Sequence, residues 1–211
     1  MKNQLILFGG TFDPVHFGHL IVARAVAERL GMPRVVLIPS ARPPHKAQCH
    51  ASPAHRLAML RLAVEGDPLF EISTIELDRP GRSYTIDTLR QFDQIRGGDT
   101  QLVWTIGLDT LIELGSWHRS EEVVEMARIV TAARPPMPDN LNARLQGLRP
   151  AMTAEQIERL KADIFPTPLI DISSTEIRRR VAAGEPIRYL TGDAVIQYIR
   201  HQGLYTGGRG S

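Results

Sequence analysis

Short apolar runs and amphipathic stretches alternate along most of the chain. Leu5–Phe8 is an apolar run closed by Gly9-Gly10, the pattern of a strand buried on both faces. Helical spacing follows from Gly18 to Leu30 and stops at Gly31 and Pro33. Arg34–Pro39 reads as a second strand. Ser52 and Pro53 then serve as N-cap and first residue of a helix with Leu57, Leu60 and Val64 on one face. Phe70–Leu77 is a third strand, and Ser83–Phe92 a loop feeding a helix capped by Ser83 or Thr85. Gln101–Gly107 and Ala127–Ala133 are a fourth and a fifth strand, with helical sequence between them. Alternation of this kind predicts the α/β class, a doubly wound parallel sheet.

The pattern weakens after Arg134. A Pro-rich loop leads to a polar helix-like stretch, Thr153–Ala162, and residues 134–162 read as a peripheral insertion rather than a second domain. A short strand is expected near Ile164–Ile172. Two C-terminal helices close the chain. The first has Ser173 and Glu176 in capping-box spacing and Gly184 as its stop; the second spans Thr191–Gly203. Residues 206–211 read as a disordered tail, which leaves one domain over residues 1–205. No internal repeat is present.

Composition narrows the class. The 211 residues suffice for one well-buried domain, and 43% apolar with 23% charged residues is ordinary for a globular chain. A net charge of +2 is too balanced to argue for nucleic acid or an anionic membrane as partner. Cys49 is the single cysteine, so no intrachain disulfide can form. The N-terminal apolar run is too short for a signal peptide, and no stretch approaches the roughly 20 apolar residues of a membrane span. A cytoplasmic protein is expected.

The chemistry concentrates in "LFGGTFDPVHFGHL", Leu7–Leu20. In a doubly wound sheet, ligands bind beyond the carboxyl ends of the strands, and this stretch follows the first strand. Gly9 and Gly10 permit close backbone approach to a ligand. The helix near Gly18 offers N–H groups and the positive end of its dipole, a setting for phosphate. His16 and His19 can donate to phosphate oxygens. There is no P-loop and no Gly-x-Gly-x-x-Gly. Taken alone, the stretch fits either a phosphate site or a glycine turn with one surface and one core histidine. His45, Cys49, His50 and His55 match no common zinc spacing, so no structural metal is expected there.

"GGTFDPVHFGH" (Gly9–His19) resembles the nucleotide-binding motif of the nucleotidylyltransferase superfamily. Four further stretches, Pro39–Lys46, Arg82–Leu89, Ile106–Arg119 and Ile172–Arg178, match one family within it in order and spacing. Together they resemble the bacterial nicotinate-nucleotide adenylyltransferases over nearly the whole chain. The resemblance implies a Rossmann-like sheet with C-terminal helices. It implies transfer of an adenylyl group from ATP to nicotinate mononucleotide, giving deamido-NAD and pyrophosphate, with Mg²⁺ held mainly by the ATP phosphates.

The resemblance also implies roles. His16, His19 and Arg178 would be catalytic, stabilising charge on the phosphates. Gly9, Gly10, Thr11, Phe12, Ser174 and Thr175 would join them in binding ATP. Lys46, Thr85, Asp109, Trp117, His118 and Arg134 would bind the mononucleotide, with Trp117 stacking on the pyridine ring. The family often has Tyr where this chain has His118. Asp13 fits either that site or a structural cap. Both substrates are small molecules, and a monomer or a homodimer is expected. Three alternatives stand beside this: preference for the amide mononucleotide, phosphopantetheine adenylyltransferase, and a non-catalytic nucleotide sensor. The Trp117 region and the long C-terminal half argue against the second; retention of both histidines and Arg178 argues against the third.

Overall fold

In the computed structural model we describe residues 3–43, 49–97 and 99–207. The apolar runs become β1 (Asn3–Gly10), β2 (Val35–Pro39), β3 (Phe70–Ile72), β4 (Thr100–Gly107), β5 (Ala127–Ala133) and β6 (Ile164–Pro166). They form a parallel sheet in the order β3-β2-β1-β4-β5-β6. Period-2 alternation sorts each central strand between two cores. Leu5, Leu7, Val36, Ile38, Leu102 and Trp104 face one layer, while Ile6, Val35, Leu37 and Val103 face the other.

The helices that cover these faces are α1 (Phe17–Leu30), α2 (Pro53–Val64), α3 (Thr85–Arg96), α4 (Leu108–Ile112), α5 (Ser120–Met126), α6 (Leu141–Gln146), α7 (Ala154–Ala162), α8 (Ser174–Ala182) and α9 (Asp193–His201). The second core takes Ala23 and Val26 of α1, Met59 and Leu60 of α2, Ile177 of α8 and Ile199 of α9. The first takes Leu89 of α3, Val123 of α5, Leu145 of α6 and Ile157 and Leu160 of α7. Strand β1 lies between β2 and β4, so the winding reverses there and opens a crevice at the carboxyl ends of β1 and β4. Among the described residues no helix is long and apolar enough to cross a membrane.

Several elements differ from the sequence expectation. The third strand stops at Ile72, not Leu77, because Thr74 and Asp78 close a turn: the Asp78 N–H donates to the Thr74 carbonyl and Thr74 Oγ1 to Asp78 Oδ2, at 3.0 and 2.7 Å. The strand near Ile164–Ile172 is only Ile164–Pro166. Helix α1 begins at Phe17 with His16 as its N-cap. Neither Ser83 nor Thr85 caps α3. Its N-cap is Tyr84, and Ser83 Oγ instead accepts the N–H groups of Ala41 and Arg42 at 3.0 and 3.3 Å. Ser173 does cap α8, accepting the Glu176 N–H at 3.1 Å, but the Glu176 carboxylate turns away to Arg179 and Arg180. On α2 the buried face runs through Arg56, Met59, Leu60 and Val64, and Leu57 is only half-buried. The stretch expected as a peripheral insertion supplies Leu145, Leu148, Met152, Ile157 and Leu160 to the first core as the crossover from β5 to β6. Thr206 and Gly207, placed in the tail by the sequence, are described: Thr206 Oγ1 donates to the Gly203 carbonyl at 2.9 Å, and residues 208–211 lie outside the described residues.

Candidate active site

The turn after β1 is built around Phe12. Its backbone is left-handed (φ 50°) although the side chain is bulky and only 1% exposed, a strained position that burial has to hold. The ring packs where a side chain on Gly10 would sit: a Cβ there would meet Phe12 Cζ at 2.9 Å. Gly9 is small for a second reason, since its Cβ would meet the Trp104 indole at 2.6 Å. The glycine pair therefore admits two aromatic rings behind the turn, and it lines the neighbouring cleft as well.

His16 follows, 7% exposed, with its ring stacked on His19 at 3.6 Å between centroids. Burial lowers the His16 imidazole to about 4, so it is neutral at pH 7. Its Nδ1 has no hydrogen-bond partner among the described residues. The His16 N–H donates to His19 Nδ1 at 3.3 Å, which assigns the proton of a neutral His19 ring to Nε2. Phe12 meets His19 edge-on at 5.1 Å and restricts it further. Gly18 is the spacer between the histidines because the His16 ring lies over it: a Cβ would meet His16 Nδ1 at 3.0 Å.

The far end of the chain docks on the same turn. Ser174 Oγ donates to the Pro14 carbonyl at 2.9 Å. Arg178, one helical turn along α8, donates from Nη1 to the Asp13 carbonyl at 2.7 Å and from Nη2 to Thr175 Oγ1 at 3.1 Å. The N-termini of α1 and α8 thus meet at one turn, with two imidazoles and a guanidinium beside them. From behind, the fully buried Arg56 donates to the carbonyls of Thr11 and Ser40, each at 2.6 Å, and joins the turn to the end of β2.

A cleft of about 230 Å³ opens beside this turn at the switch point. Gly9, Gly10, Thr11, Thr85, Trp117 and His118 line it, so six sequence-predicted residues meet there. Thr85 is the first residue of α3, where the leading N–H groups lack intrahelical partners. Trp117 is half-buried against the first core, and His118 lies over Tyr84 at 4.5 Å between ring centroids. Glu76 also lines the cleft, 4% exposed, and Thr88 Oγ1 donates to its Oε1 at 2.7 Å. Burial pushes the Glu76 carboxyl above its ordinary value, against hydrogen bonds from Thr88 and Ser83 and the charge of Arg79.

Other predicted residues stand apart. Asp109 is exposed in the first turn of α4, and its neighbour Thr110, not Asp109, lines the cleft. Arg134 donates to the Ile170 carbonyl at 3.4 Å on the surface and does not reach the cleft wall. Lys46 lies outside the described residues. Sequence reasoning missed Arg56, Glu76 and Tyr84. Tyr84 lies within the Arg82–Leu89 stretch that carries the resemblance; Arg56 and Glu76 are charged residues whose burial no local pattern announces.

A turn that gathers two imidazoles, a guanidinium and two helix N-termini at the switch point of a doubly wound sheet, next to a cleft walled by an indole, is a candidate nucleotide site of the kind transferases use. The cytidylyltransferase-like family profile matches residues 7–180. A Roseiflexus protein named probable nicotinate-nucleotide adenylyltransferase is 45% identical, over 94% of this chain and 96% of its own. A Thermoanaerobacter protein of the same name is 39% identical, over 96% and 94%. Among solved structures, the nicotinic acid mononucleotide adenylyltransferase of Plasmodium falciparum complexed with NaAD superposes with a TM-score of 0.74 at 16% identity, covering 96% of this chain and 97% of that one. The chain belongs to the cytidylyltransferase-like family and, within it, groups with the nicotinate-nucleotide adenylyltransferases.

Proposed function

We propose that the protein transfers the adenylyl group of ATP to nicotinate mononucleotide, forming deamido-NAD and releasing pyrophosphate, a step of NAD biosynthesis. One observation carries the reading: His16, His19, Ser174, Thr175 and Arg178 converge on a single turn beside a cleft walled by Trp117 and the start of α3. Relatives of about this length carry the corresponding name over nearly all of this chain.

The reaction is direct displacement. A 5′-phosphate oxygen of the mononucleotide bonds to the α-phosphorus of ATP. The bond from that phosphorus to the bridging oxygen breaks, and pyrophosphate leaves with the electron pair. No proton has to be taken from a hydroxyl, so a buried, neutral His16 suits the task. His19 donates from Nε2, and Arg178 and the start of α8 supply positive charge where the phosphates gain negative charge. Gly9, Gly10, Thr11 and Phe12 shape the bed for ATP. Trp117 offers a flat face to the pyridine ring, and the N–H groups at Thr85 meet the carboxylate. His118 closes the cleft over Tyr84.

Magnesium fits this site as a passenger on ATP. It prefers oxygen ligands, and the Asp13 carboxylate, the nearest acidic group on the turn, is committed to His50, Ala51 and Tyr205. Among the described residues no cluster of three or more His, Cys, Asp or Glu side chains forms a cage for it. Bound to the ATP phosphates, it would supply neutralisation of their charge.

The acceptor is tested with purified protein, ATP and each mononucleotide in turn. An acid-reading site built on N–H donors repels the N–H₂ of the amide, so kcat/KM is expected to favour nicotinate mononucleotide by about 100-fold or more. Equal values would overturn the deamido assignment.

A further inference from the structure

Asp13 is 3% exposed, and its carboxylate joins three separate parts of the chain. Oδ2 accepts the His50 N–H at 2.7 Å, and Oδ1 accepts the Ala51 N–H at 3.1 Å and the Tyr205 hydroxyl at 2.7 Å. The Asp13 carbonyl takes Arg178. Tyr205 comes from beyond α9, where the chain doubles back: the Leu204 N–H donates to the Ile199 carbonyl at 3.0 Å, and Gly203 and Tyr205 are both left-handed, at φ 60° and 62°. A non-glycine residue held in that conformation, with its ring packed against the second core and its hydroxyl on a buried carboxylate, is over-determined by its surroundings.

We propose that Tyr205 is a positioning residue for ATP: its hydroxyl latches the C-terminal segment onto Asp13 and thereby holds the phosphate-binding turn in register with α8. The inference rests on the adenylyl-transfer reading of the site. The latch acts through Asp13 and not by touching substrate. Without the hydroxyl, Asp13 Oδ1 keeps only the longer bond to Ala51. The carboxylate is then held from the His50–Ala51 side alone, no longer from two sides, and a turn toward that segment shifts the main-chain carbonyl of the same residue, which receives Arg178. Burial, with the hydrogen bond to Asp13, keeps the Tyr205 phenol protonated far above neutral pH, so the donor persists wherever the enzyme works.

The test is Tyr205→Phe, which removes one oxygen and keeps the ring. Adenylyl transfer is first measured on the parent protein; a parent inactive with both acceptors overturns the adenylyl-transfer reading and the latch that rests on it. With an active parent, the variant is expected to raise the KM for ATP about five-fold or more and to leave the KM for the mononucleotide within about two-fold, and calorimetry with a non-hydrolysable ATP analogue shows the same loss. Asp13→Asn should weaken ATP binding too, and adding Tyr205→Phe to it should cost little more, because the hydroxyl acts through that carboxylate. If Tyr205→Phe does not fold, Asp13→Asn with its split between the two KM values carries the test. A lower melting temperature with both KM values unchanged, or full multiplicative losses in the double variant, would overturn the latch.

Discussion

Burial holds the His16 imidazole near 4, whereas an exposed histidine titrates near 6.5, so unfolding between those values takes up a proton that the folded state refuses. Stability is therefore complete above about 6.5, falls as the pH drops through that value, and stops falling from this source below about 4. Summed to pH 5, the loss is about 2 kcal/mol. His16→Asn should remove that part of the pH dependence: parent and variant melting curves should differ in slope between pH 7 and pH 5, and parallel slopes would mean that His16 is not held neutral by burial. His19 sits one helical turn along, and the role proposed for it is different. Its Nδ1 is engaged by the His16 N–H, which leaves Nε2 to carry the donor proton. His19→Ala is expected to lower kcat by about 100-fold or more while the circular dichroism stays that of the parent, as loss of a preorganised donor does elsewhere. Turnover near that of the parent would remove the role.

At the scale of elements, whatever repeats with a period was legible and whatever depends on distant partners was not. β1, β2, β4 and β5 are continuous apolar runs because both faces of the sheet are covered, and such runs announce themselves. The third strand was over-read because Ile75 and Leu77 prolong the apolar alternation, while the Thr74–Asp78 turn that ends it is a side-chain event. Ser83 has the composition of a cap and spends its hydroxyl on the segment after β2. Arg56 interrupts an otherwise apolar face of α2, and only the folded chain places the carbonyls of Thr11 and Ser40 around it, 45 and 16 residues away. The candidate site divides the same way. The glycines, both histidines and the Ser173-Ser174-Thr175 helix start were visible as a candidate phosphate site beside a plain glycine turn, but that Gly9 and Gly10 are glycine to admit Trp104 and Phe12 required the packing. Arg134 and Asp109 look apt at the carboxyl ends of strands, yet strand position fixes only where a Cα lies and not which way a long side chain runs.

For the molecule as a whole, the segment between β5 and β6 decides how the sheet is finished. Its sequence is proline-rich and polar, and so resembles an appendage, yet every few residues it drops an apolar side chain onto the sheet: Leu145, Leu148, Met152, Ile157 and Leu160 are all 5% exposed or less. The Thr131 N–H donates to the Asp163 carbonyl at 2.9 Å and Arg128 pairs with the Asp163 carboxylate, so the end of α7 is tied to β5 before β6 begins. A truncation inside this layer should therefore be felt by the fold as a whole. Leu160→Ala is expected to cost about 2–5 kcal/mol, the range for a buried leucine whose surroundings cannot fully collapse. In a chain of this length that is a fall of roughly 10 °C in melting temperature, through one cooperative transition. The turn proposed for catalysis follows the carboxyl end of β1, whereas Leu160 lies with Thr100, Gln101 and Ala127 at the amino ends of β4 and β5, so kcat at 25 °C should stay within about two-fold of the parent. A fall of less than about 2 °C would mean that residues 134–162 ride on the sheet instead of completing it.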